Sequence, residues 1–208
     1  MKAAAFYEYG PAEAMQCAAF PDPISGPGDV LVQVQACGVN HSDLDSRAGT
    51  SRWPFELPMV LGPEFTGTVV DAGDRAGPIH PGDLVTALQQ YSCGHCAQCA
   101  KWQPGLCAAF EIFGTTRWGG YGELVSEPAE VVVPLDPGDD RLAMTAGQCV
   151  VSTAWQTHTR PIGRPHGAPD HPAAPPSRPF SGRPAGFLAS YCRAPGWRDD
   201  EQSLPQEG

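Results

Sequence analysis

The chain has 208 residues and a formal net charge of −10 at pH 7, with 13 lysine and arginine residues against 23 aspartate and glutamate residues. Its length suits one domain with an appendage, and its pI of about 4.9 argues against the basic surface of a nucleic-acid-binding protein. No apolar run is long enough for a membrane span and the first residues do not resemble a signal peptide, so we expect a cytoplasmic protein without nucleic-acid or membrane partners.

The composition divides the chain into two parts near residue 157. Residues 1–157 hold all 14 valines, whereas residues 158–208 hold no valine and no lysine but six arginines and ten of the 23 prolines. A segment so poor in core-forming residues cannot offset the entropy lost on ordering. We therefore expect a folded domain over 1–157 and a tail over 158–208 that is either disordered or the product of a shifted reading frame.

Apolar patterns predict a series of short strands in the first part. In the run 30–36, Val30, Val32, Val34 and Ala36 share one face of a half-buried strand while the glutamines between them face away. Further strands are predicted at Lys2–Glu8, Phe65–Ala72, Leu84–Leu88, Glu123–Ser126 and Val131–Val133. Short strands separated by turn residues indicate a mainly β fold with a compact barrel or sandwich.

Two helices are predicted between and after these strands. A short one begins near Ser42, whose side chain suits an N-cap. A second covers 140–156, because acidic residues precede a moderate helical pattern of apolar residues.

The most specific motif is a cluster of four cysteines in a glycine-containing loop over 93–107. Cys93, Cys96, Cys99 and Cys107 follow a C-x₂-C-x₂-C-x₇-C spacing. Four thiolates in such a short segment can close tetrahedrally on one zinc ion, which leaves no open position for chemistry. An iron–sulfur cluster is the alternative, and His95 within the loop is expected to be a solvated neighbour and not a ligand.

The cysteine spacing and four further motifs together resemble the zinc-containing medium-chain alcohol dehydrogenases. These motifs are GVNHSD at 38–43, LPMVLGPEFTG at 57–67, PGDLV at 81–85 and GGYGE at 119–123. The resemblance covers about residues 1–157 and implies the family's N-terminal catalytic domain, a GroES-like β-barrel with one structural zinc. It further implies that the intact enzyme uses NAD(P) and acts on a small molecule. Family members are commonly dimers or tetramers, so the resemblance is compatible with a homo-oligomer, but the oligomeric state stays open.

The resemblance carries over only in part to the catalytic zinc of the family. Asn40 and Pro63 stand where the family has its cysteine and histidine ligands, and only Cys149 matches the third ligand. Proline offers no ligand atom and asparagine is a poor zinc ligand beside thiolate or imidazole. Glu64 can approach the metal position, yet Glu64 and Cys149 alone fall short of three ligands. We therefore expect no catalytic zinc, and interpret Cys149 as a small buried residue on a helix.

The resemblance gives four other positions a functional and a structural interpretation. Ser42 matches the hydroxyl that relays the alcohol proton in the family; alternatively, it is a helix N-cap. His41 matches a residue near the cofactor pyrophosphate; alternatively, it is an exposed loop histidine. Asp43 matches a carboxylate that orients a metal-bound histidine, a partner that Pro63 removes here. Thr153 matches a position near the nicotinamide ribose, or is a helical residue bonded to the preceding turn.

Two functions remain open from the sequence. Relatives in the quinone-reductase branch carry G-V-N at 38–40 and act without catalytic zinc, so Asn40 fits a reductase of activated alkenes or quinones as well as an alcohol dehydrogenase-like enzyme. The alternative is a zinc-stabilised, non-catalytic fragment or pseudoenzyme, because no G-x-G-x-x-G motif for a Rossmann domain follows residue 153. The family is one of oxidoreductases, but without that motif we expect this chain alone to be inactive. Whether the intact enzyme prefers NAD or NADP stays open.

Overall fold

The computed structural model describes residues 1–53, 55–101 and 103–151, and in that part of the chain the regular structure is mainly β. The strands are β1 (Lys2–Phe6), β2 (Met15–Ala19), β3 (Asp29–Cys37), β4 (Met59–Val60), β5 (Phe65–Ala72), β6 (Leu84–Ala87), β7 (Gln90–Tyr91), β8 (Glu111–Ile112), β9 (Leu124–Pro128) and β10 (Val132–Pro134). The α-helices are α1 (His41–Ala48) and α2 (Arg141–Thr145), the latter followed by a π-helical turn at Gly147–Val151. Single 3-10 turns lie at Ala12–Ala14, Cys99–Lys101, Pro104–Leu106 and Ala129–Val131. The mainly β fold with few short helices is confirmed, while the predicted tail and Thr153 lie outside the described residues.

The strands form three antiparallel sheets. The largest has the order β10-β6-β5-β3-β9, a second has the order β2-β1-β4, and β7 pairs with β8 as a separate two-stranded ribbon. The ribbon brackets the four-cysteine loop, since the loop leaves from β7 and returns into β8. The loop is therefore an excursion from the body of the domain with a short paired stem.

Strand β3 shows how the apolar alternation builds the core and where it fails. Val30, Val32 and Val34 are buried while Gln33 is exposed, as the period of two predicts. The register against β5 shifts between Val34 and Ala36, so that Cys37, and not Ala36, is buried at the end of the strand. A β-bulge inserts one residue and exchanges the two faces of a strand beyond it, so the predicted placement of Ala36 on the buried face is wrong.

The core of the largest sheet lies between its strands and the segment 76–79. The buried residues of this cluster are Val30, Val32, Val34, Cys37, Phe65, Val69, Ala76, Ile79, Val85, Ala87, Val125 and Val132. Two smaller clusters on the other sheet centre on Phe6 and Val60, and Trp118 and Tyr121 pack against both. No helix in the described residues is long and apolar enough to cross a membrane.

Several predicted bounds differ from the observed ones. The first strand ends at Phe6, two residues before the predicted end, and the strand predicted to end at Ser126 continues to Pro128. The predicted second helix is divided: α2 ends at Thr145 and the π-helical turn follows, with residues 152–156 outside the described part. Asp140 caps α2, because its Oδ1 accepts hydrogen bonds from the N–H groups of Leu142 (3.0 Å) and Ala143 (3.2 Å).

Pairing of β3 with β5 places the candidate site at one end of the largest sheet. Cys37, the last residue of β3, is opposite Phe65, the first residue of β5. The N–H of Gly38 then donates to the carbonyl of Glu64 at 2.7 Å, which continues the ladder by one bond. The loop that enters α1 therefore lies directly against Glu64.

Candidate functional site

The structure brings the four cysteines of the loop to a single point. The sulfur atoms of Cys93, Cys96, Cys99 and Cys107 all lie within 4.8 Å of one another. The Sγ atom of Cys107 is 3.5 Å from that of Cys93 and 3.9 Å from that of Cys96. Four sulfur ligands at ~2.3 Å from a tetrahedral zinc are ~3.8 Å apart, so the side chains fit one such ion with little movement.

Backbone N–H groups around the cluster favour thiolates at two of these cysteines. Cys107 Sγ accepts hydrogen bonds from the N–H groups of Cys93 (3.4 Å) and Ala109 (3.3 Å), and Cys96 Sγ accepts one from Cys99 (3.5 Å). These bonds lower the pKa of Cys96 and of Cys107, whereas burial and the neighbouring Cys96 sulfur raise the pKa of Cys99. A metal ion that binds all four sulfurs therefore displaces at least one proton.

His95 takes no part in the cluster of sulfur atoms. Its side chain is exposed, and Nδ1 lies 2.6 Å from the carbonyl oxygen of Cys93. This contact fixes the ring beside the loop and leaves the four sulfurs as the convergent donor set.

A second group of polar side chains lies where β3, β5 and the π-helical turn meet. Glu64 is 1% exposed. Its Oε2 atom accepts a hydrogen bond from Nδ2 of Asn40 at 2.8 Å, and its Oε1 atom accepts one from the backbone N–H of Cys149 at 2.5 Å. The carboxylate thus joins three segments that are distant in sequence.

These residues do not fit a second, catalytic metal ion. Pro63 is buried and has no donor atom, and Asn40 turns its amide nitrogen, which cannot ligate a cation, toward Glu64. Cys149 is half-buried, and its thiol pKa is raised by burial and by the nearby carboxylate of Glu64. Cys149 lies in a helical segment as predicted, the π-helical turn, but the predicted burial is wrong because the residue is only half-buried.

Asp43 holds the start of α1 against the loop that precedes β5. Its Oδ2 atom accepts hydrogen bonds from the N–H of Asn40 (2.8 Å) and the hydroxyl of Tyr121 (3.2 Å), and Oδ1 accepts one from the N–H of Gly62 (3.4 Å). Burial raises the pKa of Asp43 to about 6, although these three donors act in the opposite direction. Asp43 therefore holds the loop and the helix start together. It cannot orient a histidine at position 63, because that residue is proline.

The N-terminus of α1 differs from the prediction in its capping residue. The helix begins at His41, so Ser42 lies inside its first turn and Asn40 occupies the N-cap position. Asn40 and Asp43 exchange two bonds, since the carbonyl of Asn40 accepts from the N–H of Asp43 at 3.0 Å. The prediction of Ser42 as N-cap is therefore wrong, because the reciprocal bonds with Asp43 place the helix start two residues earlier.

Ser42 and His41 both face the solvent at this helix start. The Ser42 side chain is exposed and its carbonyl accepts a hydrogen bond from the Ser46 hydroxyl at 2.7 Å. His41 is 85% exposed at its side chain, and Nε2 lies 3.7 Å from Asp45 one helical turn later. Both are accessible to a bound molecule, and Thr153 cannot be placed beside them because it lies outside the described residues.

Sequence reasoning missed two members of this region. Tyr121 bridges α1 and the β3 end, because its hydroxyl lies 3.2 Å from Asp43 and 3.4 Å from the carbonyl of Gly38. Cys37 is buried beside Gly62, where a Cβ atom would come within 2.7 Å of its sulfur. The aromatic residue of the GGYG motif signals Tyr121, whereas nothing in the local pattern marks Cys37.

Comparison with known proteins gives a consistent family for this architecture. Residues 26–137 match the model of the alcohol dehydrogenase GroES-like domain. An L-threonine 3-dehydrogenase of Streptomyces coelicolor is 38% identical over 122 residues, which cover 56% of this chain and 36% of that protein. An alcohol dehydrogenase of Geobacillus stearothermophilus is 33% identical over 159 residues, which cover 75% of this chain and 46% of that protein.

A solved structure supports the same assignment. The cobalt- and zinc-bound thermostable alcohol dehydrogenase of Pyrobaculum aerophilum has a TM-score of 0.70 and 32% identity, with coverage of 77% of this chain and 48% of that chain. The chain thus spans about a third to a half of the length of these relatives.

Proposed function

The chain belongs to the alcohol dehydrogenase GroES-like domain family, and from this membership we propose that it is the catalytic-domain part of a zinc-binding, NAD(P)-dependent oxidoreductase. The reaction is hydride transfer to or from a small carbonyl compound, alcohol or activated alkene. The observation that carries the proposal is the family match over residues 26–137, which includes the whole four-cysteine loop. The four sulfurs within 4.8 Å of one another support one structural zinc, held by Cys93, Cys96, Cys99 and Cys107.

The structural zinc, when bound, closes the loop and supplies folding energy in place of chemistry. With all four positions taken by cysteine sulfurs, such an ion would have no open position for a substrate oxygen. The paired stem of β7 and β8 transmits this constraint to the domain. The metal is thus proposed to act on stability and on the position of the loop.

Substrate handling is assigned to the start of α1, where Ser42 is exposed and Asn40 is half-buried. A bound nicotinamide supplies or accepts the hydride, which carries two electrons, and the substrate oxygen or carbon gains or loses one proton in the same reaction. The exposed hydroxyl of Ser42 can donate or accept that proton, and the Asn40 amide keeps one N–H for a substrate while its oxygen faces the backbone N–H of Asp43 in the helix cap. His41 and Thr153 are the proposed contacts of the cofactor.

A second candidate function is a zinc-stabilised, non-catalytic module. The observation that favours it is the loss of the catalytic metal position, with Pro63 and the Asn40–Glu64 hydrogen bond where ligands are needed. In that case the four-cysteine loop and the β domain keep a structural role alone.

The test is deuterium transfer by the full 208-residue chain. The protein is incubated with NADH or NADPH carrying deuterium at C4 and with a panel of small ketones, aldehydes, quinones and activated alkenes, and the products are analysed by mass spectrometry. Labelled product, with kcat/KM lowered about tenfold or more in Ser42→Ala and retained in Ser42→Thr, would show that the chain itself catalyses hydride transfer. No labelled product, together with no rise in melting temperature on adding either nucleotide, would favour the non-catalytic module.

A further inference from the structure

The region where the family places a catalytic metal holds a hydrogen-bonded carboxylate instead. Glu64 precedes β5 and is almost completely buried, at 1% exposure. Both of its side-chain oxygens accept hydrogen bonds, one from the Asn40 side chain and one from the Cys149 backbone. Its own carbonyl accepts the N–H of Gly38 at 2.7 Å.

The space around the carboxylate is closely fitted. A Cβ atom on Gly38 would lie 2.9 Å from Oε2 of Glu64, which is shorter than ordinary contact distance. The side chain is therefore enclosed by the loop 38–40 on one side and by the π-helical turn on the other. A buried carboxylate is stable in such a place only when donors satisfy its oxygens, and here one side-chain and one backbone N–H do so.

The bonding also fixes the orientation of Asn40. A carboxylate oxygen only accepts hydrogen bonds, so Asn40 must present its NH₂ group to Glu64 and its amide oxygen elsewhere. Because Asn40 also caps α1, Glu64 links the helix start to the π-helical turn at Cys149. These are two of the three segments that a metal ion would otherwise hold together at this place.

We propose that Glu64 is a positioning residue that replaces a metal ion with hydrogen bonds, so that it holds the Asn40 side chain and the backbone at Cys149 around one buried carboxylate. The chain accordingly takes up no zinc ion at Glu64. This inference goes beyond the proposed function, since the link exists in the folded chain whether or not hydride transfer occurs.

The test exchanges donor and acceptor between the two side chains. Asn40→Asp sets two carboxylates at a 2.8 Å contact, and we expect the melting temperature of the full chain to fall by roughly 5–10 °C at pH 7. In the double variant Asn40→Asp/Glu64→Gln, the new amide at position 64 can donate its NH₂ group to the new carboxylate at position 40 and accept from the Cys149 N–H. The double variant has the net charge of the parent chain and restores the hydrogen bond between positions 40 and 64. We therefore expect its melting temperature to return most of the way to that of the parent.

The control is Gln33→Glu, which makes the same amide-to-acid change at an exposed position of β3. We expect it to shift the melting temperature by less than about 2 °C. A double variant that melts as low as Asn40→Asp, or a Gln33→Glu control that falls as far, would overturn the proposal.

The zinc content of each variant is a second measurement, and it distinguishes a hydrogen-bonding Glu64 from a metal-ligating one. We expect one zinc per chain in the parent protein and in the double variant. A second zinc equivalent that is lost in Glu64→Gln and retained in Cys99→Ser would overturn the proposal, because it would show metal ligation at this carboxylate. A parent chain without any zinc would instead count against the proposed function and leave the melting test of Glu64 intact.

Discussion

The guanidinium of Arg117 lies 3.1 Å from Oε2 of Glu111 and so ties the stem of the four-cysteine loop to the body of the domain. Glu111 is the first residue of β8, which closes the stem with β7. Arg117 also reaches the Ser126 carbonyl at 3.5 Å and lies 3.8 Å from Asp29 on β3. One side chain thus connects the loop stem with β9, at the edge of the largest sheet, and with its neighbour β3.

Replacement of this side chain should loosen the stem more than the body of the domain. For Arg117→Leu we expect a loss of about 1–2 kcal/mol in the free energy of unfolding, because the hydrogen bonds to partly buried acceptors are lost together. Amide hydrogen exchange at Tyr91 in β7 and at Phe113, whose N–H donates to the Gln89 carbonyl at 3.0 Å, should accelerate, whereas exchange at Val32 should follow global stability alone. Uniform acceleration at all three amides would show that Arg117 has no specific action on the stem.

Glu127 is a buried acid whose placement costs stability at neutral pH. It is opposite Val30 in the pairing of β9 with β3, it is 0% exposed, and neither of its oxygens has a hydrogen-bond partner within the described part of the chain. Burial raises its pKa well above the ordinary 4.5, and Glu111 and Asp29 act in the same direction while Arg117 opposes them. The folded chain therefore retains a proton that the unfolded chain releases.

The sign of the resulting pH dependence follows from this shift. The contribution of protonated Glu127 to stability is fully present below pH 4.5 and is lost progressively as the pH rises through the raised pKa of the folded state. We expect Glu127→Leu to stabilise the chain by about 1–3 kcal/mol at pH 7, with a gain that shrinks toward pH 4.5. Urea unfolding between pH 5 and 8 measures both effects, and the exposed Glu130→Leu serves as the matched control. A pH-independent gain would contradict the assignment.

Tyr121 supports the ionised form of Asp43 through its hydroxyl group. Tyr121→Phe removes the bonds at 3.2 Å to Asp43 and 3.4 Å to the Gly38 carbonyl, so we expect a loss of about 1–2 kcal/mol at pH 7. Burial already raises the pKa of Asp43 to about 6, and the variant should raise it further. The deficit should therefore be smaller below pH 4 than above pH 6, as measured by urea unfolding.

The control for this change is Tyr7→Phe, since Tyr7 is 47% exposed. We expect it to alter the free energy of unfolding by less than about 0.5 kcal/mol. An equal deficit in the two variants would show that the Tyr121 hydroxyl does not act through Asp43.

Much of the sheet could be predicted because its core strands carry valines at a period of two. Val30, Val32 and Val34 specify a buried face by local pattern alone, and the structure agrees. Strand β2 is absent from the sequence prediction because Met15–Ala19 shows no clear alternation of apolar and polar residues. This segment is a strand because it pairs with β1. Pairing with a distant segment leaves little trace in a local window, which is why β4, β7 and β8 were also missed.

The site shows the same division between local and long-range information. The four cysteines converge as their spacing predicts, because the ligands lie within one short loop. The bond between Asn40 and Glu64 depends instead on the register of β3 with β5. The sequence marks both residues as departures from a metal site, but only the fold shows that they bind each other.

The most direct test of the account is the zinc content of the full chain, measured by native mass spectrometry on the parent protein, Cys99→Ser and Cys149→Ser. Cys99 belongs to the group of convergent sulfurs, whereas Cys149 lies in the π-helical turn. We predict one zinc per chain in the parent and in Cys149→Ser, and loss of that zinc in Cys99→Ser. Full zinc retention in Cys99→Ser, or loss of the only zinc in Cys149→Ser, would contradict this prediction.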